Sequence, residues 1–294
     1  MDSLKKRMNK ILLKVELASN IKKFVVTAPE IARRRKPGQF VIIRIYESGE
    51  RFPITIADAD VNAGTITLIV QEVGRSTFEM GRLEAGDCLL DLVGPLGRPT
   101  PIHRYGRVIC IAGGVGVAEI FPVAEALKKA GNEVITIIGA RTKSLLILEH
   151  ELQSISDRLI ITTDDGSYGE PGLVTGPLNK LIAQNLSIDH VFCIGPTVMM
   201  QAVVEITRPP QIKTSVSLNS IMVDGTGMCG ACRVTVGGQM KFACVDGPDF
   251  DAHQVDFEEL RQRQKLYVTE EKISMEHFEC RCQETEAREL SIKE

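Results

Sequence analysis

Residues 224–247, DGTGMCGACRVTVGGQMKFACVDG, hold the densest group of chemistry-bearing side chains in the chain. Cys229 and Cys232 form a CxxC pair, and Cys244 follows after eleven intervening residues. Asp224 stands five positions before Cys229. Plant-type [2Fe–2S] sites use the spacing C-x4-C-x2-C with a distant fourth cysteine. Here Asp224 takes the first place, and Cys229, Cys232 and Cys244 take the others. Such a cluster needs four anionic ligands, thiolate being preferred. Glycines let a loop wrap a bulky inorganic core and aim N–H groups at its sulfurs. A carboxylate has the thiolate's formal charge but is a harder ligand, so an altered potential is expected. Two other uses of these residues stay open, a zinc loop and a CxxC redox pair. Zinc usually joins one CxxC to a second CxxC or to a His pair. In this chain Cys244 stands alone, and the nearest His, His253, is in no paired motif.

A second group is IAGGVGVAEIF (111–121), directly after the apolar run RVICIAGG (107–114). Glycines between a strand and a helix let backbone approach a pyrophosphate, and the helix N-terminus stabilises its charge. Gly113, Gly114 and Gly116 fit that role. Other strand ends add candidates, because ligands of open α/β sheets bind at the carboxyl ends of strands. Asp164 and Asp165 follow one such strand, and Gly195-Pro196 follow another. A carboxylate at Asp164 or Asp165 would accept from ribose hydroxyls and repel a 2′-phosphate, which favours NAD(H). A solvated acidic turn is the other reading of those two residues. RFPITIAD (51–58) and QEVGRST (71–77) alone suggest an edge strand and a turn.

Three kinds of element must position these residues. Residues 1–102 read as β, with short runs at 11–18, 22–28, 38–46, 52–58, 64–73 and 86–95 broken by Pro, Gly, Asn and Asp. Short strands at regular spacing suggest a small barrel or sandwich. The Pro- and Gly-dense stretch 94–106 marks a boundary. Residues 103–210 alternate apolar strands (107–114, 132–141, 158–166, 190–196) with helical stretches, the pattern of a doubly wound parallel sheet. Pro122 is expected near the first turn of its helix. Residues 211–255 hold the glycines and the cysteine cluster, and 256–294 read as a charged helical tail. Cys88, Cys110 and Cys193 lie in apolar runs, where free cysteine behaves as a small hydrophobe. Cys280 and Cys282 in the tail are unassigned.

Composition narrows the class. The 294 residues carry 35 Lys and Arg against 38 Asp and Glu, a net charge of −3, which argues against nucleic acid as partner. Eight cysteines without a secretory signal argue for reduced, metal-binding or catalytic thiols. No apolar run approaches a membrane span, so a soluble, cytoplasmic setting is expected, with no membrane partner.

The order of these pieces resembles the ferredoxin–NADP reductase superfamily across nearly the whole chain. The similarity lies in the branch holding the electron-transfer subunits of dihydroorotate dehydrogenases. Within it the chain most resembles the small subunits of NADH-dependent reduced ferredoxin:NADP oxidoreductases, also described as sulfide dehydrogenases. The matching motifs are RFPITIAD, VGRST, AGGVGVA, GAR, DDGSYGEPGLVT, IGPTVMM, DGTGMCGAC and FACVDGPDFDAHQVDF. The resemblance implies a six-stranded antiparallel barrel binding FAD, a nucleotide-binding α/β domain and a small C-terminal [2Fe–2S] domain. It places the flavin motif on Arg51, Pro53, Ile54 and Thr55, with Ile69, Val70 and Gln71 flanking the flavin. It puts the flavin pyrophosphate on Ser76 and Thr77, and the nicotinamide nucleotide on Gly113, Gly114 and Gly116, with Gly195 and Pro196 beside it. The cluster would sit on Asp224, Cys229, Cys232 and Cys244. Dihydroorotate-type subunits carry four cysteines, whereas aspartate in first position is a feature of the transhydrogenase-like small subunits. The implied activity is electron transfer between NAD(H), FAD and the cluster, with no acid–base residue required. The implied partner is a larger subunit with its own FAD and [4Fe–4S] clusters, joined as a heterodimer for electron bifurcation and reaching ferredoxin indirectly. The rivals are the electron-transfer subunit of a dihydroorotate dehydrogenase and a zinc-stabilised interaction module.

Overall fold

The computed structural model describes residues 9–278 and 280. Six strands build the N-terminal unit: β1 (Ile11–Ala18), β2 (Ile21–Thr27), β3 (Phe40–Arg44), β4 (Phe52–Asp60), β5 (Thr65–Gln71) and β6 (Asp91–Leu96). They pair antiparallel in the order β1-β2-β5-β4-β3-β6. Alternation supplies the interior, where Phe24, Val26, Ile43, Ile56, Ile66 and Leu68 are all almost fully buried. The edges meet through a Lys10–Cys88 bridge, with the Ile11 N–H on Asp87 O at 2.8 Å, which closes the barrel. Cys88 is exposed at that closure and is not the packed hydrophobe expected of it. Its run, 86–90, forms a rim segment with one face in water. Helix α1 (Pro29–Arg34) lies between β2 and β3, and α2 (Arg75–Gly81) follows β5.

The next unit is a seven-stranded sheet in the order β10-β9-β8-β7-β11-β12-β15. Its strands are β7 (Arg107–Gly113), β8 (Glu133–Ala140), β9 (Arg158–Thr163), β10 (Glu170–Pro171), β11 (His190–Ile194), β12 (Thr214–Ser217) and β15 (Asp249–Asp251). All pair parallel except β15 with β12. On β7, Val108, Cys110 and Ala112 face one layer, with α3 (Val117–Lys129) and α4 (Glu149–Ile155). Ile109 and Ile111 face the other layer, with α5 (Thr175–Ala183) and α6 (Thr197–Thr207). Burial on both faces explains why these strands read as continuous apolar runs. Cys110 and Cys193 are fully buried, as expected. Pro122 lies inside α3, past its first turn. A 3-10 turn at Gly114–Gly116 leads straight into the helix, so the helical path starts earlier than the glycines suggest.

Strands β12 and β15, from within 211–255, extend the parallel sheet. Between them, β13 (Arg233–Val236) and β14 (Gln239–Phe242) form a hairpin. Its turn is Gly237-Gly238 with φ of 59° and 72°, the left-handed pair a tight two-residue turn demands. The short helix α7 (Ala243–Asp246) carries Cys244. Helix α8 (Phe257–Gln264) is capped by Asp256, whose carboxylate accepts the Glu259 N–H. Phe257 and Leu260 are buried, so the segment expected as a tail begins inside the core. A further helix, α9, spans 268–278. Cys280 is exposed, and Cys282 lies outside the described residues. Among the described residues no helix is long and apolar enough to cross a membrane.

Candidate functional site

The cysteine loop is held against the barrel. A methyl group at Gly225 would lie 2.6 Å from Leu96 Cδ1 and 2.8 Å from Ile42 Cγ1. The loop backbone therefore rests on β6 and β3. Gly225, Gly227 and Gly230 have φ of 74°, 79° and 69°, left-handed backbone that favours glycine at three places in this loop. Cys232 and Cys244 are buried, with sulfurs 3.1 Å apart and no disulfide. Burial, and then the Cys232 sulfur, push the Cys244 thiol up to about 12. Asp224 accepts the Thr226 N–H on Oδ1 and the Cys229 N–H on Oδ2, both at 2.9 Å. The Thr226 bond, followed by that of Cys229, holds its carboxyl below the usual range.

The four candidate ligands thus come together as two pairs, Asp224 with Cys229 and Cys232 with Cys244. Among the described residues, no three His, Cys, Asp or Glu side chains converge as one mononuclear metal site would require. Asp224, Cys229, Cys232 and Cys244 would supply the four anionic ligands that a [2Fe–2S] cluster takes. Asp224 has accepted two hydrogen bonds and keeps further lone pairs. The residues present fit a [2Fe–2S] cluster.

The flavin candidates lie one strand away. On β4, Pro53 pairs with Ile42 and Thr55 with Phe40, so β3 separates them from the cysteine loop. Pro53, Ile54 and Thr55 are half-buried, while Arg51 is exposed at the entry to β4. Ile69, Val70 and Gln71 end β5, the neighbouring strand. Ile69 and Ala57 pack in one cluster with Val117 and Ala118 of α3, which joins barrel to nucleotide domain. Ser76 and Thr77 sit in the first turn of α2. Thr77 Oγ1 accepts the N–H groups of Val73 and Gly74 at 3.0 and 3.1 Å and so shapes the turn. The Ser76 hydroxyl donates to Glu50, which draws α2 toward the start of β4.

Gly113, Gly114 and Gly116 meet Gly195 and Pro196 where the strand order reverses, between β7 and β11. Such a switch point opens a crevice for nucleotides. A methyl at Gly195 would lie 3.0 Å from the Gly113 nitrogen, and one at Gly113 would lie 3.2 Å from Pro196 Cδ. Gly114 has φ of 57° and nothing within 4 Å of an added methyl, so this peptide faces open space. Asp164 and Asp165 are exposed at the end of β9, two strands from β7. Hydrogen bonding from Ser167 keeps the Asp165 carboxyl low.

Two features were not evident in the sequence. Arg75, inside the quoted VGRST motif, bonds Glu79, the Tyr46 hydroxyl and Ser274 of α9. With Glu270, Ile273, Ser274, His277 and Cys280 it lines an open cavity of about 680 Å³. Its wall comes from a helix distant in sequence, so no local motif announces it. The second feature is Glu119, at the start of α3 where that helix packs against β4; burial pushes its carboxyl up to about 7.

Comparison with known proteins agrees with this geometry. Residues 219–256 match the iron–sulfur cluster binding domain of dihydroorotate dehydrogenase B. The chain is 48% identical to a Thermotoga maritima protein named a dihydroorotate dehydrogenase B (NAD(+)) electron transfer subunit homolog, over 92% of this chain and 95% of the relative. It is 32% identical to the electron transfer subunit of dihydroorotate dehydrogenase B (NAD(+)) of Bacillus caldolyticus, over 76% of this chain and 88% of that one. A solved structure of an NADH-dependent reduced ferredoxin-NADP oxidoreductase, reported for insight into flavin-based electron bifurcation, superposes with a TM-score of 0.88 at 47% identity. That match covers 92% of this chain and 98% of the other. The barrel, the doubly wound sheet and the cysteine loop, together with these likenesses, place the chain in the family of dihydroorotate dehydrogenase B electron transfer subunits and their homologues.

Proposed function

We propose that the chain is the NAD(H)-, FAD- and [2Fe–2S]-containing electron-transfer subunit of an electron-bifurcating NADH-dependent reduced ferredoxin:NADP oxidoreductase. The observation that carries this reading is the full-length likeness to the bifurcating oxidoreductase structure, at 47% identity. Asp224 in the first ligand position supports it further. FAD supplies the conversion between two-electron hydride chemistry and one-electron transfer, and the cluster supplies the one-electron exit.

The chain's own residues bind and orient. Residues 1–102 form the flavin unit, with Arg51, Pro53, Ile54 and Thr55 along one side of the flavin and Ile69, Val70 and Gln71 along the other. Ser76 and Thr77 hold the pyrophosphate at the start of α2, and the adjoining cavity supports a place for the nucleotide half. Residues 103–210 take the nicotinamide nucleotide. Gly113, Gly114 and Gly116 admit its phosphates, Gly195 and Pro196 border the nicotinamide, and Asp164 receives a ribose. Residues 211–255 hold the cluster on Asp224, Cys229, Cys232 and Cys244. The side chains of Ile42 and Leu96, between flavin strand and loop, keep water out and the path short. No acid–base residue is assigned, and residues 256–294 support docking.

A larger subunit with its own FAD and [4Fe–4S] clusters would complete the enzyme as a cytoplasmic heterodimer and reach ferredoxin. Around exposed Cys229, Met228 is 88% exposed and Val223 and Val245 about 40%, an apolar rim suited to that contact. The second reading, an electron-transfer subunit of a dihydroorotate dehydrogenase, is favoured by the names of the relatives. Anaerobic co-purification from the native host tests both. The first reading requires a larger flavin and iron–sulfur partner and NADP+ reduction by NADH with reduced ferredoxin. Orotate-forming activity in the native complex would sink it.

A further inference from the structure

We propose that Arg263, together with Arg233, is a positioning residue of the cysteine loop: two guanidinium groups stand against Gly230 and Ala231 and raise the reduction potential of a [2Fe–2S] cluster held there. The inference rests on the assignment of that cluster to Asp224, Cys229, Cys232 and Cys244.

Helix α8 reaches the loop through its buried face. Phe257 and Leu260 pack in one core cluster with Cys232, Val234 and Cys244, which brings the last turn of α8 to the CxxC pair. There Arg263 donates from Nη2 to the Ala231 carbonyl oxygen at 3.1 Å. Ala231 lies between Cys229 and Cys232. The next residue, Gln264, holds the entry to the same loop. Its Nε2 donates to Asn219 O at 3.0 Å and to Asn219 Oδ1 at 2.8 Å. The Thr197 hydroxyl, at the start of α6 beside Pro196, donates to Gln264 Oε1 at 2.9 Å. One helix end is therefore tied both to the start of the cysteine segment and to the middle of the CxxC pair.

Arg233 opens β13, directly after Cys232. A methyl group added at Gly230 would lie 3.3 Å from Arg233 Nη1, so this guanidinium stands against the Gly230 backbone. Both arginines line one gap of about 40 Å³ with Ser220, Ala231 and Gln264. Their charges are not cancelled locally. Among the described residues neither arginine forms an ion pair, and the nearby acids are engaged elsewhere, Glu258 by Arg261 and Asp246 by Arg98. Arginine stays charged at any working pH. One-electron reduction adds a negative charge to a cluster, so fixed cations beside it favour electron uptake. The carbonyl bond also fixes a direction. The Ala231–Cys232 peptide is trans, so with its C=O drawn to Arg263 its N–H points away from α8.

The test is EPR-monitored redox titration of the reconstituted full-length chain, with iron analysis, for wild type, Arg263→Gln, Arg263→Lys and Arg233→Gln. Glutamine keeps a donor for the Ala231 carbonyl and removes the charge; lysine keeps the charge. Both glutamine variants should hold about two iron per chain and titrate at lower potential than wild type. Arg263→Lys should return toward wild type. If Arg263→Gln loses its iron, Arg233→Gln, a change to an exposed side chain, still reads the effect of charge. An iron-loaded glutamine variant that titrates at the wild-type potential overturns the inference and leaves the proposed function standing. So does an Arg263→Lys potential as low as that of Arg263→Gln, since charge is then not the cause. A wild-type chain that takes up no [2Fe–2S] cluster overturns both.

Discussion

Gly116→Ala is the sharpest probe of the crevice between β7 and β11. Gly116 has φ of −55°, which any residue adopts, so its need for glycine is one of space. The added methyl would stand 2.7 Å from the Ile194 carbonyl oxygen, 3.1 Å from its carbon and 3.2 Å from Gly195 Cα. All three are backbone atoms and cannot rotate away. To reach an ordinary contact of ~3.4 Å, the start of α3 and the end of β11 must part by about 0.7 Å. Overpacking of this kind costs about 1–3 kcal/mol. Expressed against the bound dinucleotide, that is roughly 5- to 150-fold weaker NADH binding. Gly114→Ala is the contrasting variant. It meets nothing within 4 Å, but its φ of 57° strains any side chain by about 1–2 kcal/mol. The assay is stopped-flow reduction of the flavin across NADH concentrations, with a urea melt of each variant. Gly116→Ala with wild-type NADH affinity and wild-type stability would refute the close-approach reasoning.

Three further outcomes are expected. Burial, with Lys213 adding and Asp251 opposing, lowers His190 from 6.5 to about 4. The unfolded chain therefore takes this proton first, so the contribution is full above about pH 6.5 and lost as pH falls toward 4, about 3 kcal/mol in all. Glu119 titrates with the opposite sign, so the measurement is the difference in urea stability between wild type and His190→Asn at pH 7 and pH 4.5; a pH-independent difference contradicts it. Asp224→Ala removes the acceptor for Thr226 and Cys229 and should lose cluster iron, while Asp224→Cys should keep a [2Fe–2S] centre with a changed EPR spectrum. Unchanged iron content and spectrum in Asp224→Ala would remove Asp224 from the ligand set. Met228→Glu should weaken association with the larger subunit by about 1–2 kcal/mol in analytical ultracentrifugation, with iron content unchanged.

Much of this arrangement is legible in the residues. Barrel strands announce themselves because interior positions alternate, as in β2, and β7 because both of its faces are covered. The cysteine loop reads from spacing alone, since its candidate ligands fall within 21 residues. What stays hidden depends on distant contacts. Glu119 reads as an ordinary first-turn acid of a helix until the fold lays α3 against β4. The Arg75 cavity needs α9, a helix whose sequence looks like solvated tail. Cys88 sits in an apolar run, yet the barrel closes at its rim and leaves it in water. Asp224 is a candidate ligand by position, while its capping of two N–H groups is visible only in the folded loop.

The central claim is that one chain holds both a flavin and a two-iron cluster within electron-transfer reach of a nicotinamide crevice. Anaerobic reconstitution with FAD, iron and sulfide, followed by NADH titration under visible absorption and EPR, tests it most directly. The expected result is about one FAD, two iron and two acid-labile sulfides per chain, with NADH bleaching the flavin and then producing a reduced [2Fe–2S] signal. A colourless chain that retains zinc, takes up no flavin and does not respond to NADH would contradict it.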